Sequence, residues 1–259
     1  VFQPIWDMRQ SRVFAYEALA RCSLPELAYP PVLFDRAVRA GCCGRLGRMM
    51  REIAVPLCSG MPVFLNVHPQ ELNESWIVRP DDPLFTHDHD VYLEITESVP
   101  LTHFDLCLTV LKEIRTRGGV HLVVDDLGAG YSNLKSIADL EPAVVKLDRG
   151  LAADIDKSAR QQILVKGVVS LCDDLGASVV AEGIERNEEY EVLVELGVRF
   201  AQGFYLARPS FPLPAVRPPP SAKLPSPAAE AAALRSSIAA PQRPNATPAA
   251  GMPRIPPRR

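Results

Sequence analysis

Short runs of β-branched and aromatic residues recur along the chain with helical stretches between them, and this alternation constrains the fold more than any other feature. The runs fall at residues 1–6, 13–19, 63–67, 91–96, 121–125, 143–147, 178–181 and 200–206. Between them lie stretches whose apolar residues repeat at three and four, at 33–40, 46–57, 104–117, 159–175 and 188–196. Gly118, Gly176 and Gly197 each follow such a stretch where a helix stop is expected. Strand, helix, strand repeated in this way predicts a parallel sheet with helical crossovers. Eight strands within residues 1–210 suit an α/β fold of the (β/α)8 TIM-like barrel type. An open doubly wound sheet is the alternative, but no G-x-G-x-x-G follows the first run to support its dinucleotide-binding version.

Composition matters here mainly because it changes along the chain. Of 25 prolines, 13 lie after Ser210, in a stretch with 12 alanines and no Tyr, Trp or Cys. Such a segment cannot build a core, so the expected division is a barrel over 1–210 and a disordered Pro/Ala-rich tail over 211–259. The tail holds seven basic residues against Glu230, leaving 1–210 at −9 in a chain of net charge −3. An acidic body argues against a nucleic-acid polymer as partner. No apolar run approaches the roughly 18 residues of a membrane helix, and nothing at the start resembles a signal peptide, which predicts a cytoplasmic protein. The six cysteines show no C-x-x-C spacing and read as reduced thiols.

Polar residues close one strand after another. Glu17 ends the second, Asn66 the third, Glu94 the fourth with Glu97 beyond it, and Asp125 and Asp126 the fifth. Lys146 and Asp148 end the sixth, Glu182 the seventh with Glu185 beyond, and Gln202 lies in the eighth. In a barrel of parallel strands, carboxyl-terminal ends converge on one mouth. So many carboxylates together repel one another and lose solvation unless cations are present. Oxygen ligands without His or Cys select hard divalent ions, Mg2+ or Mn2+. The neighbouring Asp125 and Asp126 suit two ions sharing a bridging carboxylate, an arrangement used for in-line attack on phosphodiesters. Two other clusters are set aside. HDHD at 87–90 precedes its strand and so belongs to the opposite end of the barrel, and His68 joins a site already supplied with oxygens.

The ordered motifs YEALAR (16–21), FLNVHP (64–69), LEITES (93–98), DDLGAGYSNL (125–134), VKLDR (145–149), AEGIE (181–185) and QGFYLARP (202–209) resemble those of the EAL-domain phosphodiesterases of cyclic di-GMP. The likeness runs from Phe2 to Pro209. It implies metal-dependent hydrolysis of cyclic di-GMP to linear pGpG. The alternative is a catalytically silent receptor for the same dinucleotide. By this resemblance Glu17, Asn66, Glu94 and Asp125 are ligands of a first metal, and Asp125 bridges to a second ion held by Asp126. Lys146 orients the attacking water, and Glu182 is general base or a further ligand. Arg21 contacts phosphate, Glu185 and Gln202 contact or surround the substrate, Asp148 is a supporting acid, and Glu97 holds the loop after Asp126. The family also implies a homodimer pairing through 132–140. Leu127, Ala129, Asn133 and Cys22 depart from the usual pattern, which bears on the loop and on guanine contacts rather than on the metal ligands.

Overall fold

The computed structural model describes residues 1–74, 76–96, 104–129, 138–216 and 218–220, with the main chain alone at Thr96 and at 104–108. Eight strands close into a barrel in chain order. They are β1 (Phe2–Asp7), β2 (Arg12–Ala18), β3 (Val63–Val67), β4 (Val91–Thr96), β5 (Val120–Leu127), β6 (Val144–Leu147), β7 (Ser178–Ala181) and β8 (Phe200–Ala201). Helices α1 (Pro30–Arg39), α2 (Cys43–Leu57), α3 (Phe104–Thr116), α4 (Arg149–Ala152), α5 (Ala159–Asp174) and α6 (Asn187–Glu195) lie between them in sequence. The described helices include none long and apolar enough to cross a membrane.

The barrel is not parallel throughout. β2 to β8 pair in parallel, whereas β1 runs antiparallel to both β2 and β8. The turn between β1 and β2 explains this: residues 8–11 are too few for a crossover, which needs about a dozen residues or more. β8 is also shorter than its sequence run, so Gln202 sits just past the strand while its backbone N–H still reaches the Ala181 carbonyl at 2.9 Å.

Side-chain alternation along a strand sorts the interior into two levels. Ile5, Ala15, Phe64, Tyr92, Val123, Val144, Val180 and Phe200 form a buried apolar layer. Two residues further along seven of these strands come Glu17, Asn66, Glu94, Asp125, Lys146, Glu182 and Gln202, and on the reversed β1 the step back from Ile5 reaches Gln3. A bulge in β2 strengthens the floor. Ile5 pairs with Ala15 and Trp6 with Val13, so Phe14 is the extra residue. It stacks on Phe200 at 4.3 Å between ring centroids and meets Tyr92 edge-on at 5.4 Å. The apolar floor closes one end, leaving the polar level facing the other.

Packing continues beyond Ser210, where the sequence predicts the end of the folded chain. Phe2 and Ser210 exchange backbone hydrogen bonds, Leu213 and Val216 pack on the core, and Tyr16 Oη donates to the Pro214 carbonyl at 3.0 Å. Because β1 is followed by a turn rather than a helix, the outward-facing Phe2 and Tyr16 take cover from this strap instead, and both are buried. The tail from 221 onward, Glu97, and all of the 132–140 pairing segment except its last residues lie outside the described residues.

Candidate active site

Lys146 is the centre of the polar level. Only 1% of its side chain is exposed, and Nζ lies 2.6 Å from Glu94 Oε1, 2.6 Å from Glu182 Oε1, 3.3 Å from Glu17 Oε2 and 3.4 Å from Asp125 Oδ1. Burial disfavours its charge, but the surrounding carboxylates outweigh that and hold the ammonium protonated far above its ordinary range. Glu17 is the best-supplied acid. Its Oε1 accepts from Asn66 Nδ2 at 3.1 Å and its Oε2 from Gln202 Nε2 at 2.6 Å. Burial opposes its charge as well, yet Lys146 together with these two amides keeps the carboxyl below the usual range. Asn66 spends its amino group on Glu17, which leaves its carbonyl oxygen as the atom it can offer to a cation.

The remaining acids are undersupplied. Glu94 is fully buried, and its Oε2 has no hydrogen-bond partner. Burial and the charge on Glu17 push its carboxyl well above the usual range despite Lys146. Burial likewise raises Asp125, with Lys146 opposing. Glu182 is pushed up to about 8, chiefly by burial, and Asp126 to about 6, by burial and the neighbouring Asp125.

Asp125 and Asp126 are adjacent, so regular strand geometry would send them to opposite faces of the sheet. Asp126 instead adopts φ 60°, the left-handed region that non-glycine residues rarely enter. β5 and β6 also lose register between Val124 and Leu127. This bend turns Asp126 back toward the interior, so that one carboxylate oxygen each from Asp125, Asp126 and Glu182 lie within 4.8 Å of one another. Four buried or part-buried carboxylates share one ammonium, a fully buried oxygen has no partner, and three carboxylates converge. This donor set has the oxygen chemistry that hard divalent cations take, and Asp125, Asp126 and Glu182 are close enough together to hold one.

The mouth contains a cavity of about 280 Å3. Glu17, Asp125, Lys146, Glu182, Glu185 and Gln202 line it, whereas Arg21, Asn66, Glu94 and Asp126 do not. Arg21 is exposed and its Nη1 donates to the Ala20 carbonyl at 2.7 Å. Asp148 caps α4, accepting from Gly150 N at 2.8 Å. Six residues lining the cavity have no role in the sequence reading, and Gln3, Arg149 and Phe204 are those among them with large side chains that carry a polar or aromatic group. Gln3 shares the inward face of Ile5 by alternation, and the reversal of β1 is what puts it at the mouth rather than at the opposite end. The HDHD cluster sits where it was predicted, before β4, with Asp88 accepting from Ser59 and Gly60 and the His87 ring 2.8 Å from the Met61 carbonyl. His68 Nδ1 accepts from Gln70 N in a local cap.

An eight-stranded barrel with an oxygen-rich, cation-demanding centre at the carboxyl ends of its strands is the class that this geometry defines. The chain belongs to the EAL domain family, whose model matches residues 1–209. The cyclic di-GMP phosphodiesterase PdeR of Escherichia coli is 31% identical over 229 residues, 83% of this chain and 34% of that protein. BlrP1 of Klebsiella pneumoniae, solved at pH 9.0 as a manganese/cyclic di-GMP complex, is 34% identical with a TM-score of 0.69 over 80% of this chain and 55% of that one. The phosphodiesterase PaMucR, in its cyclic di-GMP complex, is 26% identical with a TM-score of 0.70 over 80% and 90%. The chain spans about a quarter to two fifths of the length of the curated relatives it matches.

Proposed function

We propose that this chain is a cytoplasmic phosphodiesterase that opens one 3′–5′ phosphodiester bond of cyclic di-GMP to give linear pGpG, using two Mg2+ or Mn2+ ions. The observation that carries this reading is the charge imbalance at the mouth, where Lys146 alone faces Glu17, Glu94, Asp125 and Glu182. In this reading Glu17, Asn66, Glu94 and Asp125 hold one ion, and Asp125 and Asp126 hold the other. Bound there, such ions lower the pKa of a coordinated water and neutralise charge on a phosphate.

The chain's own groups do the rest. Glu182 accepts the proton of the attacking water at a carboxylate oxygen, and Lys146, 2.6 Å from Glu182 Oε1, fixes that carboxylate and positions the water. Gln202 and Asn66 orient Glu17 through its two oxygens. Glu185 lies further out on the cavity wall, where the dinucleotide extends.

The competing reading, a receptor that binds without cleaving, lacks a supporting observation of its own, since the ligand-bearing positions all carry oxygen donors. One experiment separates them. Purified protein incubated with cyclic di-GMP and Mg2+ or Mn2+ yields pGpG, and chelator abolishes it. Glu182→Gln keeps binding within about tenfold, 1.4 kcal/mol, and loses at least about a hundredfold in turnover, the lower range for a general base. Binding without turnover in the unmodified protein refutes the enzyme. Turnover undiminished by chelator refutes the metal centre.

A further inference from the structure

We propose that Arg149 is a phosphate-binding cation of the mouth cavity, released to the substrate by Glu185. This assignment rests on the dinucleotide reading above and adds a residue to it. A doubly anionic dinucleotide has to enter a cavity lined by Glu17, Asp125, Glu182 and Glu185, and the described lining offers two cations against them. Lys146 is buried and shared among four carboxylates. Arg149 is the accessible one, with 62% of its side chain exposed, and it is held by a single 2.9 Å contact from Nη2 to Glu185 Oε1. A guanidinium has five N–H donors in a planar fork, so most of them are free for phosphate oxygens.

The backbone is shaped for this side chain. Gly183 has φ +67°, and a Cβ at that position would come within 2.5 Å of Arg149 Cγ. The arginine stem therefore lies across the bare backbone next to Glu182, on the cavity wall. An ion pair as exposed as Arg149 with Glu185 is weak, so exchanging Glu185 for a phosphate costs little. Glu185 in this scheme keeps the fork over the cavity while it is empty.

The test is calorimetric binding of cyclic di-GMP with Ca2+ as the divalent cation, repeated from low to high salt, alongside thermal melting. Arg149→Ala is expected to melt like the unmodified protein, to bind at least about tenfold more weakly, and to show a flatter salt dependence because one screened charge contact is gone. Arg149→Lys is expected to keep the salt dependence with intermediate affinity, because it retains the charge and loses the fork. Arg149→Ala binding within twofold at every salt concentration overturns the assignment and leaves the phosphodiesterase reading intact. Should Arg149→Ala misfold, Arg149→Lys decides, and unchanged affinity there overturns the assignment. Unmodified protein that binds no cyclic di-GMP with any divalent ion removes both.

Discussion

Two buried ionic clusters in this barrel have opposite characters. One lies beside the barrel, where Arg51 of α2 meets Glu71 and Asp82, with side chains 2%, 0% and 0% exposed. Arg51 Nη1 donates to Glu71 Oε2 at 2.7 Å, while Nε and Nη2 each reach Asp82 at 3.0 Å. The other carboxylate oxygens are occupied too: Glu71 Oε1 accepts from His68 N and Asp82 Oδ1 from Leu84 N. That cluster is complete, and it ties α2 to the turns at Pro69–Asn73 and Pro83–Phe85. The mouth cluster has a centre as deeply buried, at Lys146 and Glu94, but has one ammonium for four carboxylates and an unpartnered oxygen on Glu94. Burial alone therefore does not separate a structural ion cluster from a working one. The hydrogen-bond balance does, because an unbalanced buried cluster is tolerated only where something else arrives to complete it.

The largest effect that distinguishes the two is expected at Arg51. Arg51→Ala strands two buried carboxylates and should destabilise the protein by about 3–5 kcal/mol, the usual cost of breaking a buried pair, as read from urea unfolding. A loss under about 1 kcal/mol would erase the distinction drawn here.

A smaller change separates the mouth from the chain that covers the hairpin. Stopping the chain after Ser210 removes Leu213, Val216 and the Tyr16 hydrogen bond, at an expected cost of about 1–3 kcal/mol. Stopping it after Pro220 should leave unfolding within about 0.5 kcal/mol. Equal stability for the two truncations would show that the strap contributes nothing.

At the mouth the sign reverses. The carboxyl of Glu94 is held above its unfolded range, so the metal-free fold loses stability as pH rises through the folded pKa. Glu94→Gln mimics the protonated acid and should raise metal-free stability near neutral pH while weakening metal binding. A destabilised Glu94→Gln would mean that Lys146 already balances the cluster.

The last distinction is in pH dependence. With Glu182 pushed up to about 8 and Asp126 to about 6, an incoming cation displaces a proton from Glu182 below about pH 8. Metal affinity measured by titration should rise up to about tenfold per pH unit between about pH 6 and pH 8. A flat profile would place the acids in their ordinary range.

Much of the mouth was legible because the polar residues fall at strand ends in seven separate runs, and their alternation with β-branched neighbours carries the inward face of each strand. Glu17, Glu94, Asp125, Lys146 and Glu182 converge for that reason. Arg51, Glu71 and Asp82 were not legible: they are 20 and 31 residues apart and belong to a helix and two turns without shared periodicity.

The sequence by itself determined the order of strands and helices, the chemistry of the mouth and the side of each strand on which that chemistry lies, because these depend on local periodicity. Tertiary structure alone decided the strap past Ser210 and the turning of Asp126 back beside Asp125. Each of these depends on which distant segment is available to pair with or cover a backbone, and no local pattern encodes that partner. The positive φ of Asp126 is the clearest case. Two adjacent aspartates point apart in any regular strand, and only the closure of β5 against β6 brings both carboxylates to one place.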